Sequence, residues 1–239
     1  MTQGIHQLTA SMVNQLNRVD VVSNNLANTN TVGFKADNLS EGSFNRYLRE
    51  KTKSGEPMLK ESVVMDTIPK IDESYKNESV GALTQTGNGL DFAIKDKNMF
   101  FKVQNAQGDI EYTKDGSFKV EDGRLITQNG YSVLDANNQE IDINVPDFEL
   151  TIALVDIDFK NLDNIGNNNY KAKNNNEIEN VANSEQFLLQ GSLEQSNVNT
   201  ITTMVGLIEA QRKFEQSQKA INGIDTINSK VIDSIGNNK

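Results

Sequence analysis

The sequence predicts an α+β fold: a discontinuous domain of long amino- and carboxyl-terminal coiled-coil helices, with an antiparallel β-rich barrel or sandwich inserted between them. Three observations predict it. Apolar residues recur at three-then-four spacing at both chain ends, they alternate with polar residues in the middle, and Asn- and Gly-rich segments mark each change of period.

At the amino end Ile5, Leu8, Met12, Val19, Val22 and Leu26 keep the helical spacing, and Gln15 is the one interruption. No Pro and no Gly beyond Gly4 falls inside this run, so a helix is expected from about Thr2 to Ala27. The segment Asn24 to Lys35, NNLANTNTVGFK, ends it. Asn tolerates the left-handed conformation and Gly33 has no Cβ to clash, which predicts a helix stop and a shaped turn. From Ala36 to Ala82 charges and two prolines, Pro57 and Pro69, break any period, and the stretch reads as an extended connector with local strand or helix.

From Leu83 the period becomes two. Leu90, Phe92 and Ile94 alternate, as do Phe101 with Val103, Ile110 with Tyr112, Phe118 with Val120, and Ile141, Ile143 and Val145, and the run Ile152 to Phe159 continues the pattern. Turn pairs separate these runs, and Asp122-Gly123 between Val120 and Leu125 predicts a two-residue hairpin with positive φ at both central positions. After an Asn-rich, loop-heavy stretch, Gly191 to Val198 leads into a second helix running to about Ile235, with Ser196 or Asn197 as its cap. Along it Leu207, Ala210, Phe214, Ile221, Ile224, Val231 and Ile235 repeat the amino-terminal rhythm, interrupted at Ser217 and Asn228. The expected division is a helical domain of residues 1–35 and 190–239, a connector of 36–82 and a β-rich domain of 83–189.

Both helices carry more apolar surface than one partner covers. Val13, Leu16 and Val21, and Ile201, Val205 and Ile227, lie off the stripes and offer second faces. Such ends suit a chain built to join copies of itself.

Composition removes several functions. The 239 residues include no Cys and one His, so disulfide frameworks, thiol-ligated metals and most imidazole chemistry are excluded. A net charge of −10 argues against nucleic acid, whose affinity is supplied by Lys and Arg. No stretch is long and apolar enough for membrane insertion. The amino terminus has no cationic segment followed by a continuous apolar core, so export, if it occurs, is expected without a cleaved signal peptide.

Acidic pairs do not assemble into a catalytic or metal centre. Asp156 and Asp158 alternate with Val155, Ile157 and Phe159 and are expected on the solvent face of a strand. Asp135 to Asn138 begins like a calcium loop but lacks the Gly and the closing Glu, and reads as a hairpin turn. No cofactor is expected.

A series of sequence blocks resembles a known family. NNLANTNTVGFK (Asn24 to Lys35) is similar to the signature closing the first helix of the rod and hook proteins of the bacterial flagellum. The resemblance continues through LTQTGNGLDFAI (Leu83 to Ile94), FFKV (Phe100 to Val103), EYTKDGSF (Glu111 to Phe118), DGRLITQNGYSVL (Asp122 to Leu134), GNNNY (Gly166 to Tyr170), QGSLEQSNVN (Gln190 to Asn199) and LIEAQRKFE (Leu207 to Glu215), in family order. It implies a non-enzymatic subunit of the basal-body rod, a helically assembled shaft around an export channel in the periplasm. Its partners would be copies of itself, other rod subunits and the flagellar type III export apparatus. The stretch LKESVVMDTIPKIDESYKNESVGAL lacks the Gly- and Pro-rich insertion of distal-rod proteins, which favours a proximal-rod type over a distal-rod or hook-type subunit. A secreted adhesin-like module is the alternative from another class.

On this resemblance an assembly interface is expected. Leu8, Met12, Val19, Val22 and Leu26 would face Leu207, Ile208, Phe214, Ile221 and Ile224 within or between subunits. Asn24, Asn25 and Asn28 would exchange amide hydrogen bonds with neighbours or simply cap the helix. Gly33 and Phe34 would form a bend with an aromatic anchor, and Leu193, Glu194, Ser196, Asn197 and Val198 the start of the second helix, with Glu194 pairing locally. Gln211 and Arg212 match a family pair on that helix, where Arg212 can also be a solvated charge.

Overall fold

The computed structural model describes residues 2–43, 69–174 and 178–236. They form two helices, α1 (Thr2–Ala27) and α2 (Thr200–Gly236), and fifteen short strands. The chain divides into two compact units. One holds Met1–Ala27, Asp37–Tyr75 and Asn199–Lys239; the other holds Asn28–Ala36 and Lys76–Val198. Part of the connector, residues 44–68, lies outside the described residues.

In the helical unit α1 packs along α2. Ile5, Leu8, Met12, Val19, Val22 and Leu26 are all sheltered, as the spacing requires. On α2 the sheltered positions Leu207, Ala210, Phe214, Ser217, Ile221, Ile224 and Asn228 follow one another at alternating intervals of three and four, so the polar interruptions lie on the same face as the apolar residues. Gln15 is buried with its carboxamide oxygen unpaired. A polar residue at such a position lowers stability and narrows the choice of register.

The stripe does not extend to the end of α2 as its spacing suggests: Val231 is exposed. Length explains this. At 1.5 Å per residue the 26 residues of α1 span about 39 Å and the 37 of α2 about 55 Å, so α2 is longer than α1 by about three turns. Ile227 and Ile232 are exposed there too. Val13 and Leu16 on α1, and Ile201, Met204, Val205 and Ile208 on α2, form the outward second faces. The same unit contains the two-stranded sheet of β1 (Asp37–Ser43) and β2 (Pro69–Lys76), whose last residue belongs to the other unit.

The second unit is built on a branched antiparallel sheet, not a closed barrel. Its main path runs β11 (Leu162–Gly166), β12 (Asn169–Ala172), β6 (Ile110–Thr113), β5 (Met99–Gln104), β9 (Ser132–Val133), β8 (Arg124–Ile126) and β7 (Lys119–Glu121). β10 (Leu154–Asp156) pairs with the start of β5 and with β13 (Glu179–Asn180), which takes the sheet off that path. Two further ladders, β4 (Phe92–Ile94) with β14 (Leu188–Gln190) and β3 (Leu83–Gln85) with β15 (Ser192–Glu194), complete it.

The hairpin at Asp122-Gly123 forms as expected, with φ of 50° and 80° and Glu121 opposite Arg124. The alternation, however, understates burial. β5 is covered on both faces: Met99, Phe101 and Val103 join Phe92, Phe118 and Leu125 in one cluster, while Phe100 joins Tyr112, Val155, Phe159 and Tyr170 in another. Strands covered on both sides lose the apolar–polar rhythm, which is why Phe100-Phe101 reads poorly by period. Phe100, Phe159 and Tyr170 meet edge to face at 5.0–5.8 Å, a favourable aromatic arrangement. Asp156 and Asp158 are exposed, and Asp135 to Asn138 is a turn. Among the described residues no group of acids and histidines could hold a metal ion, and no helix is long and apolar enough to cross a membrane.

Candidate functional site: a buried clamp

The residues that follow α1 and those that precede α2 meet within the β-rich unit. The Gly33 amide donates to the Glu194 carbonyl at 2.8 Å, and the Asn197 amide to the Phe34 carbonyl at 3.3 Å. Asn197 does more. Its Oδ1 accepts from the Ala36 amide at 2.8 Å while its Nδ2 donates to the carbonyls of Asn77 and Ser79, so one carboxamide ties three separate segments. This use of both donor and acceptor is what an amide offers and a carboxylate or an ammonium group cannot.

Beneath this layer lies an ion pair. Lys35 Nζ sits 2.6 Å from Glu194 Oε1, the two side chains 0% and 1% exposed and 159 residues apart in the chain. Lys35 also donates to the Ser79 carbonyl at 2.8 Å, and Glu194 Oε1 accepts the Gly81 amide at 2.8 Å. Glu194 Oε2 has no partner. Gly81 is required by contact: a Cβ there would lie 1.9 Å from the Gln195 carbonyl oxygen.

Gly33 is required twice over. Its φ is +67°, and a Cβ would stand 2.5 Å from the Lys114 carbonyl oxygen. The helix stop therefore works differently from the expectation: α1 ends at Ala27 with none of Asn24, Asn25, Asn28 or Asn30 at positive φ, and the left-handed residue is Gly33 alone. Phe34 is buried beside it, with Lys76 Nζ 5.3 Å from its ring centroid, and Asn168 donates to the Val32 carbonyl at 2.9 Å.

Lys114 completes the cluster. Its side chain is buried, Nζ donating to the Asp96 carbonyl at 2.9 Å and lying 5.0 Å from the Phe100 ring centroid. Burial, reinforced by the Lys35 charge and opposed by Glu194 and Asp96, pulls its pKa from 10.5 to about 7. The consequence for stability has a definite sign. Between about pH 7 and 10.5 the unfolded chain holds a proton at Lys114 that the folded chain has lost, so stability rises with pH across that window. The rise attributable to Lys114 is on the order of 4 kcal/mol. Lys102, also lowered by burial, acts in the same direction, while Tyr112, raised by burial, opposes it above its ordinary pKa of 10.0. Urea midpoints followed from pH 7 to 10 are expected to climb in the wild type and to climb much less in Lys114→Met.

The other expected interface residues fall into three groups. Leu8, Met12, Val19, Val22, Leu26, Leu207, Phe214, Ile221 and Ile224 are sheltered in the helical unit, whereas Ile208, Gln211 and Arg212 are exposed. Asn24 is exposed, but Asn25 is buried and engages Asp37 twice, Nδ2 donating to its carbonyl at 2.8 Å and Oδ1 accepting its amide at 2.9 Å. Asn28 accepts from the Thr31 hydroxyl at 3.1 Å.

In the third group Leu193 and Glu194 are buried in β15. The cap of α2 is neither Ser196 nor Asn197. Asn199 Oδ1 accepts the Thr202 amide at 3.1 Å, while the Ser196 hydroxyl accepts from the Val198 amide. Glu194 does not pair locally; its cation comes from the far end of the chain. Lys35, Gly81 and Lys114 were not singled out by sequence. The available signal was that Lys35 closes the NNLANTNTVGFK block, Lys114 lies inside EYTKDGSF and Glu194 lies inside QGSLEQSNVN.

Similar proteins bear on this arrangement. Three family models match the chain: flagella basal body rod protein over residues 10–35, flagellar hook protein FlgE/F/G D1 domain over 96–163, and flagellar basal body rod FlgEFG protein C-terminal over 189–234. The first ends on Lys35 and the last contains Glu194 and Asn197. A flagellar basal-body rod protein FlgF from Caulobacter vibrioides is 31% identical, with 91% of each chain covered. A flagellar basal-body rod protein FlgG from Borreliella burgdorferi is 31% identical over 95% of this chain and 96% of its own length. The flagellar hook-basal body complex protein FlhO of Bacillus subtilis is 28% identical over 99% of both.

Proposed function

The chain belongs to the flagellar basal-body rod protein family, and from that membership we propose how its parts serve a rod. It is a structural subunit of the basal body, not an enzyme. The two long helices of the expected helical domain (residues 1–35 and 190–239) form the inner layer of a helically assembled shaft that surrounds the export channel and spans the periplasm. Residues 36–82 connect it to an outer β-rich domain of residues 83–189. Copies of this chain and other rod subunits pack against the outward faces of α1 and α2, where Val13, Leu16, Ile201, Val205 and Ile208 are left in water in the single chain.

The observation that carries this reading is that unpartnered second face. A helix pair that finished its packing inside one chain would place polar residues at these positions. The shaft transmits torque, and the clamp suits its subunits to that load. Because Lys35–Glu194 and Asn197 tie the chain's entry into the β-rich unit to its exit, neither strand can peel away without breaking a buried ion pair. Of the expected interface residues, Leu193, Glu194, Asn197, Gly33 and Phe34 act by holding this junction, and Asn24, Ile208, Gln211 and Arg212 are placed to meet neighbours.

Delivery uses the flagellar type III export apparatus, with an amino-terminal signal that is not cleaved. The proximal-rod type remains the favoured subtype, because the stretch after the first helix lacks a Gly- and Pro-rich insertion. Deleting the gene is expected to abolish motility and to leave basal bodies truncated within the rod. Complete flagella on a non-motile deletion strain would point to a different role, and full motility with complete flagella would refute this one.

A further inference from the structure

We propose that Asn129 is a site of spontaneous deamidation, converted to aspartate and isoaspartate ahead of the other Asn–Gly pairs of the chain. The sequence holds three such pairs, Asn88-Gly89, Asn129-Gly130 and Asn222-Gly223. In each the reaction is the same. The glycine backbone nitrogen attacks the Asn Cγ, a ring C–N bond forms, the bond to the side-chain nitrogen breaks, and ammonia leaves with the proton from the backbone amide. Water then opens the succinimide at either carbonyl, giving Asp or the β-linked isomer. Glycine favours the attack because no side chain hinders its nitrogen, so what separates the three sites is how each carboxamide and each amide is held.

Asn88 is held at both ends of its carboxamide: Nδ2 donates to Asp91 Oδ1 at 3.0 Å and Oδ1 accepts the Leu90 amide at 3.3 Å. Its Cγ cannot turn toward Gly89 without losing both bonds. Asn222 lies within the 37-residue α2, whose backbone geometry fixes the Gly223 nitrogen in the helical ladder. Asn129 is different. It is exposed in the turn between β8 and β9, its carboxamide makes no hydrogen bond among the described residues, and the space where a Cβ on Gly130 would sit is open to 4 Å. A single bond restrains the nucleophile, from the Gly130 amide to the Thr127 carbonyl at 3.0 Å, and it lies at an exposed turn tip.

Either product changes this turn. Asp adds a negative charge to a chain already at −10, and the isomer lengthens the backbone between Thr127 and Tyr131, which close the turn through the Thr127 amide and the Tyr131 carbonyl at 2.8 Å. Incubating the full-length folded chain in mildly alkaline buffer, then mapping peptides by mass spectrometry with isoaspartate resolved, tests the proposal. Conversion at Asn129 is expected to run about ten-fold or more faster than at Asn88 or Asn222, with the order erased in denaturant and the fast phase absent from Asn129→Gln. Asn88 or Asn222 keeping pace with Asn129 in the folded chain, or an Asn129 that converts only after unfolding, overturns it.

Discussion

Glu194→Gln is expected to lower the unfolding free energy of the β-rich unit by about 3–5 kcal/mol, the cost of leaving a buried partner charge uncompensated. The substitution keeps an oxygen that can accept the Gly81 amide, so the loss reads chiefly the Lys35 charge, which is 0% exposed and has no water to turn to. Lys35→Met strands the carboxylate instead and is expected to cost a similar amount. The double variant Lys35→Met/Glu194→Gln removes both charges and should lose clearly less than the sum of the two singles. Denaturant midpoints on the four proteins of this cycle check it. Additive losses would mean that the pair, though adjacent, is not energetically coupled.

Introducing Asp at both Ile201 and Val205 is expected to leave the isolated chain's stability within about 0.5 kcal/mol and yet abolish incorporation into basal bodies. The two residues are 76% and 52% exposed, so the single chain has little packing there to lose. In an assembled layer the same positions would have to bury two carboxylates per copy without cations to meet them. A helical array repeats that cost at every contact. Thermal melts of the purified variant, immunoblots of isolated basal bodies and swarming on soft agar measure the two halves separately. A variant that melts normally and still supports motility would remove these faces from the assembly.

How far the sequence could be read depended on the range of the interactions involved. Helix extents were legible, because three-then-four spacing at Leu8, Met12, Val19 and Val22 reports a local geometry, and so was the Asp122-Gly123 hairpin, whose residues carry their own φ preference. The exposure at the end of the α2 stripe was not legible: Val231 fits the spacing, but how far α1 runs alongside it depends on the length of a different helix. Strand burial was half legible, since Phe100 and Phe101 show that a strand is apolar without showing that both faces are covered. Family blocks found Gly33, Glu194 and Asn197 as residues. They could not show that Glu194 waits for a cation 159 positions away, or that Gly33 is glycine because the Lys114 carbonyl stands where its Cβ would be. Those are facts of long-range contact, written in no local period. The same limit hid Lys114, an unremarkable lysine in a β-rich segment until burial and the Lys35 charge act on it.

The outward helix faces, open in the single chain, are expected to be covered in the rod. The chain has no cysteine, so one introduced thiol reports one position without background. The most direct measurement is the alkylation rate of Val205→Cys in the free chain and in purified, motility-competent basal bodies, with an exposed-strand control at Lys119→Cys. Rapid labelling of both thiols is expected in the free chain, with strong protection of position 205, relative to its free-chain rate, in the basal body. Equal labelling of Val205→Cys in the two states would contradict it.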